Sequence, residues 1–505
     1  MTGTGRGTPE APESAPAAPP AATEAQPTTW HRPSPADLLG WVSALRGMLD
    51  RPLASYYLLL ASAGLLLIIG LTMVFSATSI TSFVETRSAY GDVIQQFGAA
   101  VVGLIAFWIC QRLPRRTFRG LARLALGTSI GLLAILDLIN LLAGSSKINA
   151  PKLGPFVAHE LWLNVGPVQL QPSELAKFAL VIWGADVLVR KGEQIGRLRE
   201  LATPLFPVVG LLFVLVGYND LGTMLTILII FVSMLWVAGV RFRVFGTMIL
   251  VALAGVAALV MAPGKGYRFG RLTAFLHPEL CNQMEECYQI TQGKLALLDG
   301  GWFGAGLGQS VFKWGRLPEN RNDFIFAIIA EELGVVGCVM VLVLFGVLGY
   351  TGLRIASRVP DPFRRIAATA VTLWLLGQAL INIGGVVGLL PVTGLVLPFI
   401  SYGGSALVVS MGAVGMLASF ARAEPEAARA LHARPPARWV RLLWAPLPAL
   451  SARFRPADSA VPADASTAPG ERRTGRPAAP AARRRSGDGQ RRAGRGRGET
   501  VDSDR

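Results

Sequence analysis

The chain has 505 residues, of which 52% are hydrophobic and 16% charged, with a formal net charge of +16 and a mean hydropathy of +0.45. That balance is too apolar for a water-soluble chain of this length and excludes that class. It points instead to an all-α polytopic membrane protein.

In chain order, residues 1–52 come first, rich in Ala, Pro, Thr and Glu. They read as a disordered tail, because they cannot bury enough apolar surface to fold. No cleavable signal peptide is visible, since the first long apolar run begins near Tyr56 and has spanning length. About ten transmembrane helices are expected, each close to the roughly 20 residues that cross hydrocarbon. They fall near 56–77, 94–111, 118–142, 173–189, 203–217, 221–239, 244–262, 324–350, 366–388 and 400–421, and together make one domain over 53–422. A long loop, 263–323, separates the seventh span from the eighth.

The breaks after even-numbered spans are basic. They hold Arg112, Arg115, Arg116 and Arg119, then Arg190, Lys191, Arg197 and Arg199, then Arg241 and Arg243, then Arg354, Arg358, Arg364 and Arg365. Short basic loops resist translocation, so both termini are expected in the cytoplasm of a cytoplasmic-membrane protein and the long loop outside. Residues 423–505 are rich in Ala, Pro and Arg and read as a second disordered tail. Its cluster Arg483, Arg484, Arg485, Arg491 and Arg492 suits anionic membrane lipids. No folded nucleic-acid reader accompanies it, so no nucleic acid is expected as a partner.

Cys110 and Cys338 fall within spans, where small apolar packing is expected of them. Cys281 and Cys287 lie six positions apart in the outer loop, where oxidation is permitted, and a disulfide is expected there ahead of free thiols. A zinc site would need more ligands than His277 supplies.

Polar residues gather at the outer ends of the spans, and charge at membrane depth tends to mark a substrate path. The segment before the fourth span places Gln171, Ser173, Glu174 and Lys177 at its mouth. Ser173 after Pro172 suits an N-cap and Glu174 suits the positive dipole end, but Lys177, one turn in, calls for an anionic partner. The long loop adds Tyr267, Arg268, Arg271, Gln289 and Lys294 before the run GGWFGAGLG at 300–308. No strand precedes those glycines, so they are not a dinucleotide fingerprint. Their density suits tight turns and close backbone approach. Lys313, Arg316, Glu319, Arg321 and Asp323 follow, and such cations fit a phosphate-bearing lipid. Asp323 opens the eighth span, where it could cap the helix unless Asn322 does so. Glu331 and Glu332, two turns deeper, need a cation or a proton. Asp220, in the tight turn before the sixth span, reads as that helix's cap.

Four motifs in order carry a resemblance: GPVQLQPSELAKF, YQITQGKLALLDGGWFGAGLGQS, LPENRNDFIFAIIAEELG and GLVLPFISYGGSA. Together the chain resembles the SEDS family of cell-wall polymerases, and GLGQSVFKWGRLPEN is closer to its division branch than to its rod-shape branch. The resemblance implies the SEDS fold and a peptidoglycan glycosyltransferase that polymerises lipid II outside the cytoplasmic membrane during septal wall synthesis. A class B penicillin-binding protein transpeptidase and other division proteins are the implied partners. Asp323 is then the implied catalytic residue. Gln171, Ser173, Glu174, Lys177, Arg271, Gln289, Lys313, Glu319 and Ser401 are the expected substrate-binding residues.

The chain departs from the family pattern at Arg321 and Asn322 (often His-Thr), at Leu161 (often Arg) and at Ala406 after Ser405 (often a second Ser). The chemistry needs a base on the acceptor hydroxyl, for which Asp323 is positioned. It also needs charge stabilisation at the leaving diphosphate, from Lys177, Arg271 or Lys313. A divalent cation such as Mg2+ or Mn2+ could share that task, though the sequence offers no dedicated cage. The alternative is a lipid II flippase, for which the polar residues should lie on both faces and at mid-depth rather than outside.

Overall fold

The structure is a computed structural model that describes residues 51–86, 91–143, most of 152–192, 198–240 except 218, and 286–448, with isolated positions elsewhere. In these the chain forms α1 (Ala54–Thr86), α2 (Gly91–Arg112), α3 (Arg115–Ala143), strands β1 (Lys152–Leu153), β2 (Phe156–His159), β3 (Trp162–Val165) and β4 (Val168–Leu170), then α4 (Pro172–Lys191), α5 (Leu198–Gly217) and α6 (Leu221–Val237). There follow α7 (Glu286–Asp299), α8 (Ile325–Arg358), α9 (Pro362–Val387), α10 (Gly404–Arg422), α11 (Pro425–Ala433) and α12 (Arg438–Leu443).

Among the described residues, six helices are long and apolar enough to cross a membrane: α1, α2, α3, α8, α9 and α10. Helices α5 and α6 carry shorter apolar stretches. Helix α4 occupies the expected fourth span and carries Glu174, Lys177, Asp186, Arg190 and Lys191. The seventh expected span, 244–262, lies largely outside the described residues, as do nearly all of 1–50 and all of 449–505.

Helix starts follow local chemistry. Asp220 caps α6, its Oδ1 accepting from Thr223 N at 2.9 Å and its Oδ2 from Thr223 Oγ1 at 2.6 Å, as the turn sequence implied. Helix α4 begins differently from expectation. Pro172 takes the first helical turn, Gln171 holds the N-cap position without a side-chain cap, and Ser173 is already inside the helix. Proline suits that turn because its missing N–H has no intrahelical partner there.

Two regions depart from the sequence reading. Between α3 and α4 the chain folds into an antiparallel meander in the order β1-β2-β3-β4, with Asn164 opposite Gln169 and Leu163 opposite Leu170. Ala158 and Leu163 of this sheet pack on Leu136 and Ile139 of α3. The second departure is the tail, expected to be disordered from 423 onward. Its first part carries α11 and α12 and is described through 448. Trp439, Val440, Leu442, Leu443 and Trp444 give that stretch an apolar content that the Ala, Pro and Arg composition of the whole tail hides.

Small residues set the close helix contacts. A Cβ on Gly415 would overlap the backbone of Phe107, and one on Gly412 would lie 3.6 Å from Cys110 Sγ, so α10 and α2 approach as membrane helices do at small-residue faces. Cys110 and Cys338 are free thiols packed among the spans, as expected.

Candidate active site

Helix α8 is broken inside. Gly334 has φ 68° and ψ −165°, non-helical values that leave backbone groups of the preceding turn without helical partners. Residues 300–313 fold back into this break. Ala305 N donates to Glu331 O at 2.8 Å, Gly306 N to Glu332 O at 3.0 Å, and Val335 N to Gly301 O at 3.0 Å. Irregular backbone is tolerated at membrane depth when it is satisfied within the protein in this way. The approach explains the glycines. A Cβ on Gly300 would overlap Ala330 O, one on Gly304 would overlap Glu332 O, and Gly304 also has φ 78°.

Glu331 and Glu332, both fully buried, fasten the same loop through their carboxylates. Glu331 Oε1 accepts from Val311 N at 2.5 Å and Phe312 N at 3.4 Å, and its Oε2 accepts from Ser310 Oγ. Glu332 accepts from Ser76 Oγ of α1, 2.6 and 2.8 Å from its two oxygens, and pairs with Lys313 Nζ at 3.2 Å. Lys313, 2% exposed, also donates to Gly308 O at 2.6 Å. The cation that Glu332 required is thus supplied by the preceding loop, while Glu331 is held by hydroxyl and amide donors.

Asp323 stands where this loop meets α8. Three consecutive carbonyls leading to it are held from elsewhere in the chain. Tyr402 N donates to Arg321 O at 2.9 Å, Ser401 Oγ to Asn322 O at 2.6 Å, and Asn382 Nδ2 to Asp323 O at 2.8 Å. Asn382 Nδ2 also donates to Leu395 O at 2.6 Å, tying α9 to both walls. The N-cap position of α8 is Phe324, without a side-chain cap, rather than the Asp323 or Asn322 weighed from the sequence. Asn322 Nδ2 instead donates to Glu319 Oε2 at 2.5 Å. Glu319 has φ 53°, and its carbonyl accepts from Asn322 N and Phe324 N, closing the turn before Asp323.

Arg321 pairs with Asp92 at the start of α2 at 2.5 Å and stacks 5.2 Å from the Tyr402 ring centroid. Burial raises the Tyr402 phenol pKa, and the Asp92 charge adds to that while Arg321 opposes it. From α7, Gly293 lies against the Phe324 ring, 2.8 Å from Cε1 to where a Cβ would stand. Asp323 and Phe324 line a pocket with Asn382, Gly385, Thr393 and Leu395, of ≈ 10 Å3, about the room one water needs.

One helical turn from Asn382, Gln378 makes the second stitch of α9. Its Nε2 donates to Val396 O at 2.9 Å and its Oε1 accepts from Lys177 Nζ at 2.9 Å. Lys177 is fully buried, pairs with Glu174 Oε1 at 2.7 Å, and lies 5.3 Å from the Trp374 ring centroid. Glu174 Oε2 is buried without a hydrogen-bond partner among the described residues. Gln171 N donates to Ser405 Oγ at 3.2 Å, and Ser173 is buried beside it. Gln289 Nε2 reaches Pro318 O at 3.4 Å. Arg271, Tyr267, Arg268 and Cys281 lie outside the described residues. Cys287 is disulfide-bonded.

The structure therefore gathers Lys177, Glu174 and, through Gln378 and Asn382, Asp323 along one face of α9, and holds Ser401 on Asn322. It draws Lys313 away into the α8 break. Asp92, Gln378 and Asn382 were missed in the sequence. Gln378 and Asn382 left one trace there, two amides four apart in an apolar span. No group of three or more His, Cys, Asp or Glu residues that could hold a metal ion occurs among the described residues.

Residues 56–426 match the profile of the cell cycle protein family that groups FtsW, RodA and SpoVE. The probable peptidoglycan glycosyltransferase FtsW of Mycobacterium tuberculosis is 42% identical over 401 residues, covering 79% of this chain and 74% of its own. The stage V sporulation protein E of Bacillus subtilis is 35% identical over 359 residues, covering 71% of this chain and 94% of its own. Among solved structures, a chain of a peptidoglycan synthase complex, in which polymerization and crosslinking are structurally coordinated, superposes with a TM-score of 0.54 at 26% identity. It covers 72% of this chain and 97% of that one. A variant of the rod shape determining protein RodA of Thermus thermophilus gives 0.50 at 26% identity, over the same 72% and 97%.

Proposed function

The chain belongs to the cell cycle family of FtsW, RodA and SpoVE, and on that premise we propose how it acts as a peptidoglycan glycosyltransferase, with Asp323 as its general base. It polymerises lipid II into glycan strands for the septal wall. The acceptor sugar hydroxyl attacks the anomeric carbon of the donor, the bond from that carbon to the lipid diphosphate breaks, and the hydroxyl proton passes to the Asp323 carboxylate. Attack opposite the leaving group inverts the anomeric centre. The diphosphate leaves as a stable anion, so it needs charge stabilisation more than a proton.

The observation that carries this reading is the backbone clamp on residues 321–323. It fixes the base through its main chain, from α9 and from the 401–402 turn, and a base is effective only when held in productive geometry. Lys177 and Lys313 place their charges inside the protein, on Glu174 and Glu332. We therefore assign them to positioning, and the diphosphate to the other cations of the 263–323 loop, Arg271 among them. Mg2+ or Mn2+ is proposed only as a companion of that diphosphate. The basic breaks described above support placing Asp323 outside the membrane and the termini inside. A crosslinking transpeptidase of the penicillin-binding type is the proposed partner, supported by the likeness to a chain of a synthase complex.

A flippase would use Asp220, Glu331 and Glu332 along a path. Here Asp220 caps α6 and the two glutamates fasten a loop, so the polymerase reading is favoured. The test uses full-length protein with its transpeptidase partner and labelled lipid II. Native protein should form polymer and Asp323→Asn should not, while both fold alike. Polymer from Asp323→Asn at the native rate would exclude the base assignment. Lipid II crossing vesicles without polymer would return the flippase.

A further inference from the structure

We propose that residues 434–448 form a strap lying in the membrane interface, with its apolar side chains among lipid tails and its arginines on anionic headgroups. Four consecutive carbonyls of the strap are pinned to the bundle. Arg112 Nη1 donates to Leu442 O at 2.5 Å, Trp108 Nε1 to Leu443 O at 2.6 Å, Gln111 Nε2 to Trp444 O at 3.3 Å, and Arg422 Nη2 to Ala445 O at 3.3 Å. Trp444 adds a bond from its Nε1 to the Tyr56 hydroxyl at 2.7 Å, and its ring lies 6.3 Å from that of Phe107. The strap thus joins the ends of α1, α2 and α10, and its backbone faces the protein.

Trp444 turns inward, but the side chains of Trp439, Leu442 and Leu443 face away. Trp439 is 66% exposed, Leu442 71% and Leu443 64%. They continue the outward apolar surface of α2, where Ile105, Trp108 and Ile109 are also exposed. A soluble protein does not leave such a patch uncovered, and an amphipathic segment beside the ends of spans fits the headgroup–acyl boundary. Charge selects the lipid. Residues 427–448 hold Arg429, Arg434, Arg438 and Arg441 and no acidic residue, which matches an anionic surface. The strap meets the Arg112 end of α2, whereas Asp92 at the other end pairs with Arg321 beside Asp323. At roughly 1.5 Å per residue the two ends are about 30 Å apart, one hydrocarbon thickness. The strap and Asp323 therefore belong to opposite leaflets, and the strap's seating is independent of the base assignment.

The experiment places a nitroxide on Leu442→Cys in a full-length chain with Cys110→Ser and Cys338→Ser, in nanodiscs of phosphatidylcholine with and without phosphatidylglycerol. Oxygen accessibility at 442 should exceed that of a water-soluble nickel reagent several-fold, with the reverse at an Arg434→Cys label. Hydrogen exchange across 437–445 should slow several-fold when phosphatidylglycerol is present, and Arg438→Gln with Arg441→Gln should abolish that difference. A label at 442 open to the nickel reagent overturns the proposal. So does one closed to both probes, which would mean that the remaining tail or a second copy covers the patch. Equal exchange in the two lipids overturns the anionic assignment.

Discussion

Asp323 and the pair Glu331 and Glu332 lie within one stretch of ten residues, and the fold holds the main chain at the first and the side chains at the second. Around Asp323 it grips the main chain: the carbonyls of 321, 322 and 323 accept from Tyr402, Ser401 and Asn382. At Glu331 and Glu332 it grips the side chains, whose oxygens accept from Ser76, Ser310, Val311 and Phe312 and pair with Lys313. A carboxylate that must take up a proton is best fixed by its backbone. A carboxylate that builds structure is best consumed by donors. On the proposal that Asp323 is the base, the main-chain clamp would serve the reaction and the side-chain bonds of Glu331 and Glu332 the assembly.

The comparison breaks if the two kinds of substitution give the same phenotype. Asp323→Asn should lower polymerisation by about 10²–10⁴-fold, the usual worth of a general base, with an unchanged melting temperature in detergent. Lys313→Ala should act on the other axis, lowering stability by about 3–5 kcal/mol because Glu332 is left as an uncompensated buried charge. Thermal unfolding measures this, and Lys313→Met with Glu332→Leu should recover most of the loss, since it removes both charges. Asn382→Ala lies between the two. It frees the carbonyls of Asp323 and Leu395, and should cost about 1–3 kcal/mol while lowering kcat more than it raises KM for lipid II. The smallest effect is expected at Arg115, paired with Asp361 at 2.7 Å but 46% exposed. Arg115→Ala should change stability by no more than about 1 kcal/mol, and the change should shrink with added salt.

What the sequence revealed was local or compositional. Apolar runs located the helices, and the turn before Leu221 announced Asp220 as a cap. The glycines of 300–308 announced a close approach, and the three-residue spacing of Glu174 and Lys177 placed them on one helix face, where they pair. What it hid depends on distant partners. Nothing near Ser76 signals Glu332, 256 positions away, and nothing near Gln378 or Asn382 signals the loop carbonyls they hold. The sheet over 152–170 was missed because its strands are two to four residues long, too short for an alternating pattern to stand out. The strap was missed because five apolar residues were averaged with a long polar tail.

The loop folded into the α8 break also bears on how the protein is made. The side-chain and backbone donors that satisfy the Glu331 and Glu332 carboxylates, on Ser76, Ser310, Val311, Phe312 and Lys313, all precede them in the chain. During synthesis from the N-terminus, each of these groups has left the ribosome before either glutamate does. The groups that receive the two acids are therefore already made when the acids are, in a span whose own composition would make their insertion costly.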